Sequence, residues 1–214
     1  MYDRKTLAAK LRLYLICGEG DAPQAVIDKT RAALSGGVTA VQLRVKSWTG
    51  RETYETALKL KELCAARGAL FFVNDRLDVA LAAGADGVHL GQNDLPVDAA
   101  RAIAGSDFII GGTARTPELA RGAQRLGADY VGCGAAFGTA TKGDAVVIGP
   151  EGITKTLSAI EIPSVAIGGI ELANVRKLAD CGASGAALSG AIVRACDPES
   201  AARALLDEIN KYFM

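Results

Sequence analysis

Eight times along these 214 residues a short apolar or β-branched run is followed by a stretch with helical spacing, and few architectures accommodate that alternation. The runs stand at 13–16, 38–43, 70–73, 87–90, 108–111, 130–132, 164–167 and 184–188. Between the second and third, Tyr54, Ala57, Leu58, Lys61 and their neighbours recur with the spacing of one helical face. Strands separated by helices run parallel, and eight such units in tandem predict a (β/α)8 barrel, with residues 1–214 as a single domain. An open doubly wound sheet is the alternative, because strand order is not written in the spacing. A small phrase recurs before four of the strands: Ser35-Gly36-Gly37-Val38, Ala83-Gly84-Ala85-Asp86, Leu126-Gly127-Ala128-Asp129 and Cys181-Gly182-Ala183-Ser184. Its glycine suits a left-handed helix cap, so the phrase is expected to mark the bottom of the barrel.

Half of the residues are hydrophobic, enough for one substantial core. Lys+Arg and Asp+Glu are both 24, which gives no bulk attraction to nucleic acid or an anionic membrane. Cys17, Cys64, Cys133, Cys181 and Cys196 are odd in number, widely spaced and without a C-x-x-C pair. That pattern argues against a zinc site or a disulfide framework and predicts a reducing, cytoplasmic location. No apolar run is long enough to span a bilayer. A homo-oligomer is left open.

In a parallel barrel the working residues stand at the C-terminal ends of the strands. After the second strand, alternation sends Gln42, Arg44 and Lys46 to one side, where two cations suit a multiply charged phosphate. A solvated strand end is the bland alternative. The third strand ends in Asn74-Asp75-Arg76, and the loop after the fourth carries Asp94. Each aspartate could cap a helix. Together, beside cations, they suggest a hard-cation site of the kind Mg²⁺ occupies, shared with a substrate phosphate. His89 is the only histidine and is expected to be packed and hydrogen-bonded in the core. With one histidine, Ser-His-Asp triads are not indicated, and multi-histidine metal sites are excluded. The loop over 134–144 holds Thr139, Thr141 and Lys142 among small residues and can wrap an anion, though its spacing is not that of a Walker loop. Gly168-Gly169 and Ser189-Gly190, each expected to open a helix, would form a phosphate cup or merely tight turns.

Five segments then form a recognisable series: Gln42-x-Arg44-x-Lys46, Val73-Asn74-Asp75-Arg76, the run from Asp86 to Asp94, Thr139-x-Thr141-Lys142, and Ala166-Ile167-Gly168-Gly169-Ile170. In this order they resemble the motifs of the thiamine-phosphate synthase family. The resemblance implies a transferase that joins an aminopyrimidine diphosphate to a thiazole phosphate and releases diphosphate. It implies that Gln42, Arg44, Lys46, Asn74, Thr113 and Lys142 hold the pyrimidine diphosphate, with Arg44, Thr113 and Lys142 closest to the chemistry. Asp75 and Asp94 would hold Mg²⁺. Thr139, Thr141, Gly169, Ser189 and Gly190 would hold the thiazole phosphate.

Three departures stand out. Thr113-Ala114-Arg115 lies where the family often reads Ser-x-His, Ser189-Gly190 where a Val-Ser or Ile-Ser pair is usual, and Cys17-Gly18-Glu19-Gly20 where a Thr-Asp is common. The rivals are a thiazole tautomerase of the same superfamily, an unrelated phosphate-binding isomerase barrel and a non-catalytic protein that binds a thiamine precursor. The tautomerase relies on a histidine near position 115, and the sensor needs no paired carboxylates. Retention of Asp75 and Asp94 favours the synthase over both.

Overall fold

The computed structural model describes residues 3–138 and 146–213. Eight parallel strands close into one barrel in the order of the chain, which removes the open-sheet alternative. They are β1 (Leu13–Gly18), β2 (Ala40–Arg44), β3 (Leu70–Asn74), β4 (Gly87–Leu90), β5 (Ile109–Ala114), β6 (Tyr130–Gly134), β7 (Ser164–Ile167) and β8 (Gly185–Leu188). The described helices are α1 (Arg4–Lys10), α2 (Pro23–Ser35), α3 (Gly50–Ala66), α4 (Leu77–Ala82), α5 (Val97–Ala104), α6 (Pro117–Arg125), α7 (Gly149–Leu157), α8 (Gly190–Val193) and α9 (Pro198–Tyr212). None is long and apolar enough to cross a membrane. All five cysteines are unpaired, four buried and Cys196 exposed.

Alternation along each strand divides the apolar residues into two cores. One lies between strands and helices; the other fills the barrel and includes Tyr14, Ala40, Leu70, Phe72, Ile109, Tyr130, Val165 and Ala187. Leu7 and Leu11, from α1 and its end, join the inner core and plug the lower mouth. The rings of Tyr14, Phe72 and Tyr130 meet at the centre, with centroids 5.4, 6.1 and 5.5 Å apart. Room for them comes from Gly111, where a Cβ would stand 2.2 Å from Tyr130 Cζ.

The recurrent phrase does close the bottom of the barrel, and its last positions explain why. Gly37, Gly84, Gly127 and Gly182 all take positive φ. Two residues further on stand Thr39, Asp86, Asp129 and Ser184, each of which brackets one residue of the preceding strand. Their backbone N–H groups donate to the carbonyls of Leu13, Phe71, Ile110 and Ser164. Their side chains accept the N–H of those same residues, at 3.0, 2.8, 2.7 and 3.3 Å. The barrel is thus tied in doublets, β1 with β2, β3 with β4, β5 with β6 and β7 with β8. Lys61 and Arg101 neutralise the two aspartates, at 2.7 and 2.5 Å.

Asp129→Ala would strip the Ile110 N–H of its acceptor and leave Arg101 without its carboxylate. A hydrogen bond to a charged, half-buried group is worth about 2 kcal/mol. At ~2–4 °C per kcal/mol for a chain of this size, Tm should fall by about 4–8 °C. Thermal unfolding checks this, and an unchanged Tm would deny the bracket any energetic weight.

Three departures from the spacing stand out beside two-residue extensions of β1 and β6. β5 runs on to Ala114, because Gly111 and Gly112, which resemble a turn, are strand interior emptied for the side chains of Tyr130 and Ala123. β2 starts at Ala40, two residues later than the periodicity suggests, because Gly37 at φ 99° and Thr39 complete the bracket first. After β7 there is no α-helix, only a 3₁₀ turn over Val175–Leu178. Gly168-Gly169 therefore does not open a helix, contrary to expectation.

Candidate active site

The upper mouth of the barrel collects the polar residues that the sequence singles out. Gln42 lies deepest, buried, with its amide Nε2 donating to Tyr14 OH at 2.9 Å. Arg44, one layer up at the end of β2, donates from Nη1 to Glu19 Oε2 at 2.8 Å. Glu19 reaches it because the chain after β1 crosses tightly over β2. A Cβ at Gly18, whose φ is 121°, would stand 2.7 Å from the Arg44 carbonyl oxygen. Lys46 pairs with Asp75. Both cations of the triplet are thus matched by carboxylates of the chain, although Lys46 itself remains exposed.

Asp75 does not cap α4, whose N-cap is Arg76 with no side-chain bond. It takes φ 61°, a left-handed conformation that costs a non-glycine residue about 1–3 kcal/mol. Its N–H donates to the His89 carbonyl at 2.9 Å, which ties the end of β3 to β4. Asp94 does not cap α5 either; its Oδ2 accepts the Gly91 N–H at 2.7 Å and so closes its own loop. The two carboxylates are close enough to share a hydrogen bond. Burial pushes Asp75 up, but the bonds from Asp94 and Lys46 outweigh it and leave its carboxyl below the ordinary range. Burial and the neighbouring Asp75 hold Asp94 above that range. One carboxylate of the pair is therefore poorly compensated, a condition that a divalent cation relieves. Among the described residues no group of three or more His, Cys, Asp or Glu converges. A fully protein-ligated ion is thereby unsupported there, whereas Mg²⁺, which takes one or two carboxylates and completes its shell with water and phosphate, fits the donor set.

Across the mouth, Thr113 Oγ1 lies 2.9 Å from His89 Nε2, and the His89 Nδ1 lies 3.0 Å from Tyr130 OH. His89 is packed and hydrogen-bonded, as its position on the strand suggested. Asn74 pairs in register with His89 at the end of β3, and Arg115 is exposed. Gly169, at φ 62°, presses against the main chain of the β6 loop: a Cβ would meet the Gly138 carbonyl oxygen at 2.4 Å. Ser189 is the N-cap of α8, with Gly190 the first helical residue. Thr139, Thr141 and Lys142 lie outside the described residues.

Four participants escaped the sequence reading. Tyr14 and Tyr130 read as ordinary core aromatics, and Glu19 as a loop residue. Arg194, whose Nε stands 3.4 Å from where a Gly190 Cβ would be, puts a cation beside the Ser189-Gly190 turn. Only its spacing of four from Gly190 could have signalled it.

Comparison with known proteins identifies the family. A family model described as thiamine monophosphate synthase covers residues 13–192, from the start of β1 into α8. Thiamine-phosphate synthase of Coprothermobacter proteolyticus is 45% identical over 98% of this chain and 100% of its own. The Pyrococcus horikoshii thiamine-phosphate synthase is 45% identical over 92% of this chain and 93% of its own. A solved thiamine phosphate pyrophosphorylase from Pyrococcus furiosus superimposes with a TM-score of 0.90 at 41% identity, covering 97% of this chain and 100% of that one. Matched by that family model over residues 13–192 and by these relatives over most of its length, the chain belongs to the thiamine monophosphate synthase family.

Proposed function

We propose that the chain is a thiamine-phosphate synthase. It would condense 4-amino-2-methyl-5-pyrimidinylmethyl diphosphate with 4-methyl-5-(2-phosphoethyl)thiazole, or the carboxylated thiazole, to thiamine phosphate and diphosphate. The observation that carries this reading is the Asp75–Asp94 pair set against Arg44 and Lys46 at one barrel mouth, two carboxylates and two cations within reach of one polyanion.

In this reading the diphosphate displaces Glu19 from Arg44 and Asp75 from Lys46, and the freed guanidinium and ammonium hold its oxygens. Asn74, Thr113 and Lys142 complete the grip. The Gln42 amide nitrogen is committed to Tyr14, which leaves its oxygen to accept from the amino group of the pyrimidine. Asp75 and Asp94 would hold Mg²⁺, whose charge supports departure of the diphosphate. The bond from the methylene carbon to the diphosphate oxygen breaks, its electron pair leaves with the diphosphate, and the thiazole nitrogen attacks the cationic methylene. Thr139, Thr141, Gly169 and the Ser189-Gly190 turn would hold the thiazole phosphate so that the nitrogen faces that carbon. The chain supplies electrostatics and proximity, and no protein nucleophile is needed. Residues 1–214 act as one catalytic domain, in the reducing cytoplasm that five unpaired cysteines suit.

Incubation of the two phosphorylated substrates should yield thiamine phosphate and diphosphate in equal amounts. Binding of the thiazole phosphate without product would overturn the synthase reading in favour of a tautomerase or a sensor. Glu19→Gln should tighten binding of inorganic pyrophosphate about twofold to fivefold, since an exposed ion pair holds its partners by under ~1 kcal/mol. Calorimetric titration checks this, and equal affinity would mean that Glu19 does not compete for Arg44.

A further inference from the structure

We propose that Gln42, Tyr14, Tyr130 and His89 form a one-way hydrogen-bond relay through the barrel interior, which keeps the imidazole proton on Nε2 and makes the Thr113 hydroxyl a donor to the bound diphosphate. The proposal rests on the reading above for the place of the diphosphate, and on the following geometry for everything else.

The chain of contacts is continuous. Gln42 Nε2 donates to Tyr14 OH at 2.9 Å, Tyr14 OH and Tyr130 OH are 2.8 Å apart, Tyr130 OH is 3.0 Å from His89 Nδ1, and His89 Nε2 is 2.9 Å from Thr113 Oγ1. It crosses the barrel from β2 to β5, and Gln42, Tyr14, Tyr130 and His89 are all buried. Burial pushes the phenols of Tyr14 and Tyr130 far up, so each keeps its single proton.

Direction follows from counting protons. An amide nitrogen only donates, so Tyr14 receives at its oxygen and must spend its own proton on Tyr130. Tyr130 then spends its proton on Nδ1 of His89. A neutral imidazole that accepts at Nδ1 carries its hydrogen on Nε2 and donates it to Thr113 Oγ1. The Thr113 hydroxyl, already an acceptor, has its own proton left for the mouth, where the polyanion arrives. Gly132 makes room for the ring, since a Cβ there would stand 3.0 Å from His89 Cε1. Were the Gln42 amide turned over, every bond would reverse. Thr113 would then give its proton to Nε2 and present only lone pairs to an anion.

Tyr14, Tyr130 and His89 are therefore positioning residues, acting on the substrate through Thr113. Their arrangement explains why two phenols and an imidazole occupy the centre of a core that leucine or phenylalanine would fill without any polar group to satisfy.

The chain has one histidine, so imidazole ¹⁵N spectra of the full-length, ligand-free protein report this ring alone. The relay predicts hydrogen on Nε2 and none on Nδ1 near neutral pH. Tyr130→Phe keeps the ring volume and removes the bond to Nδ1. It should drive the imidazole towards a mixture of both tautomers and weaken binding of Mg²⁺-pyrophosphate about threefold to tenfold, the cost of weakening one bond to a charged group. Tyr14→Phe, which removes the donor to Tyr130, carries the same test if Tyr130→Phe does not fold. Hydrogen on Nδ1 in the wild-type protein, or a spectrum indifferent to the phenol, would overturn the relay whatever the activity. An Nε2 proton combined with pyrophosphate affinity unchanged in both Tyr130→Phe and Thr113→Val would instead overturn the assignment of Thr113 to the diphosphate.

Discussion

In the presence of a strong chelator the protein should form no thiamine phosphate, and Mg²⁺ should restore the reaction. Asp75 and Asp94 meet at the mouth of the barrel with one carboxyl held below and the other above its ordinary range, a pairing that a positive charge between or beside its members would relieve. Lys46 meets part of that need through its ion pair with Asp75. Once the diphosphate draws Lys46 away, Asp75 and Asp94 would face further negative charge, which the proposed divalent ion would offset. Asp94→Asn isolates the effect: an asparagine oxygen can still accept the Gly91 N–H, so the loop and Tm should hold. Transition-state charge stabilisation by a metal amounts to several kcal/mol, so turnover should fall by about 10²-fold or more. Product formation measured with and without metal, in both proteins, decides the matter. Full turnover in chelator would remove both aspartates from the metal role.

Gly111→Ala should lower Tm by about 6–12 °C although it adds a single methyl group. That methyl would enter the barrel 2.2 to 2.5 Å from three atoms of the Tyr130 side chain. The ring is fully buried against Tyr14, Phe72 and His89 and has nowhere to retreat. Overpacking of this kind costs about 3 kcal/mol, and each kcal/mol lowers Tm by ~2–4 °C in a chain of this length. Thermal unfolding followed by circular dichroism measures it. A Tm within a degree or two of wild type would mean that the aromatic centre is loosely packed.

The barrel was legible because its evidence is local and repeated. Alternation, helical spacing and the recurrent glycine phrase each recur within a few dozen residues. The 3₁₀ turn after β7 was not legible, because the Asn174 side chain bonds both the Glu171 N–H and the Gly169 carbonyl and so competes with a helix beginning there. Nor did anything in the sequence show α1 plugging the barrel, since Leu7 and Leu11 look like any amphipathic start. Arg44, Lys46, Asp75 and Asp94 were legible as a candidate site, since charge at the end of an apolar strand has few other uses. Tyr14 and Tyr130 stand 116 positions apart, and alternation says that each points inward without saying which residue it will face. Partnerships across a closed barrel depend on register and tilt, which no short window of sequence contains.

The brackets at the bottom of the barrel bear on where the chain can be divided. Thr39, Asp86, Asp129 and Ser184 each satisfy a residue of the strand just before, in four successive pairs. The doublet is accordingly the repeating unit of the lower end of the barrel. That repeat has a practical consequence. Two fragments separated near Gly105, between β4 and β5, each keep two whole doublets and should reassemble when mixed, whereas a break between β3 and β4 severs Asp86 from Phe71 and strands both.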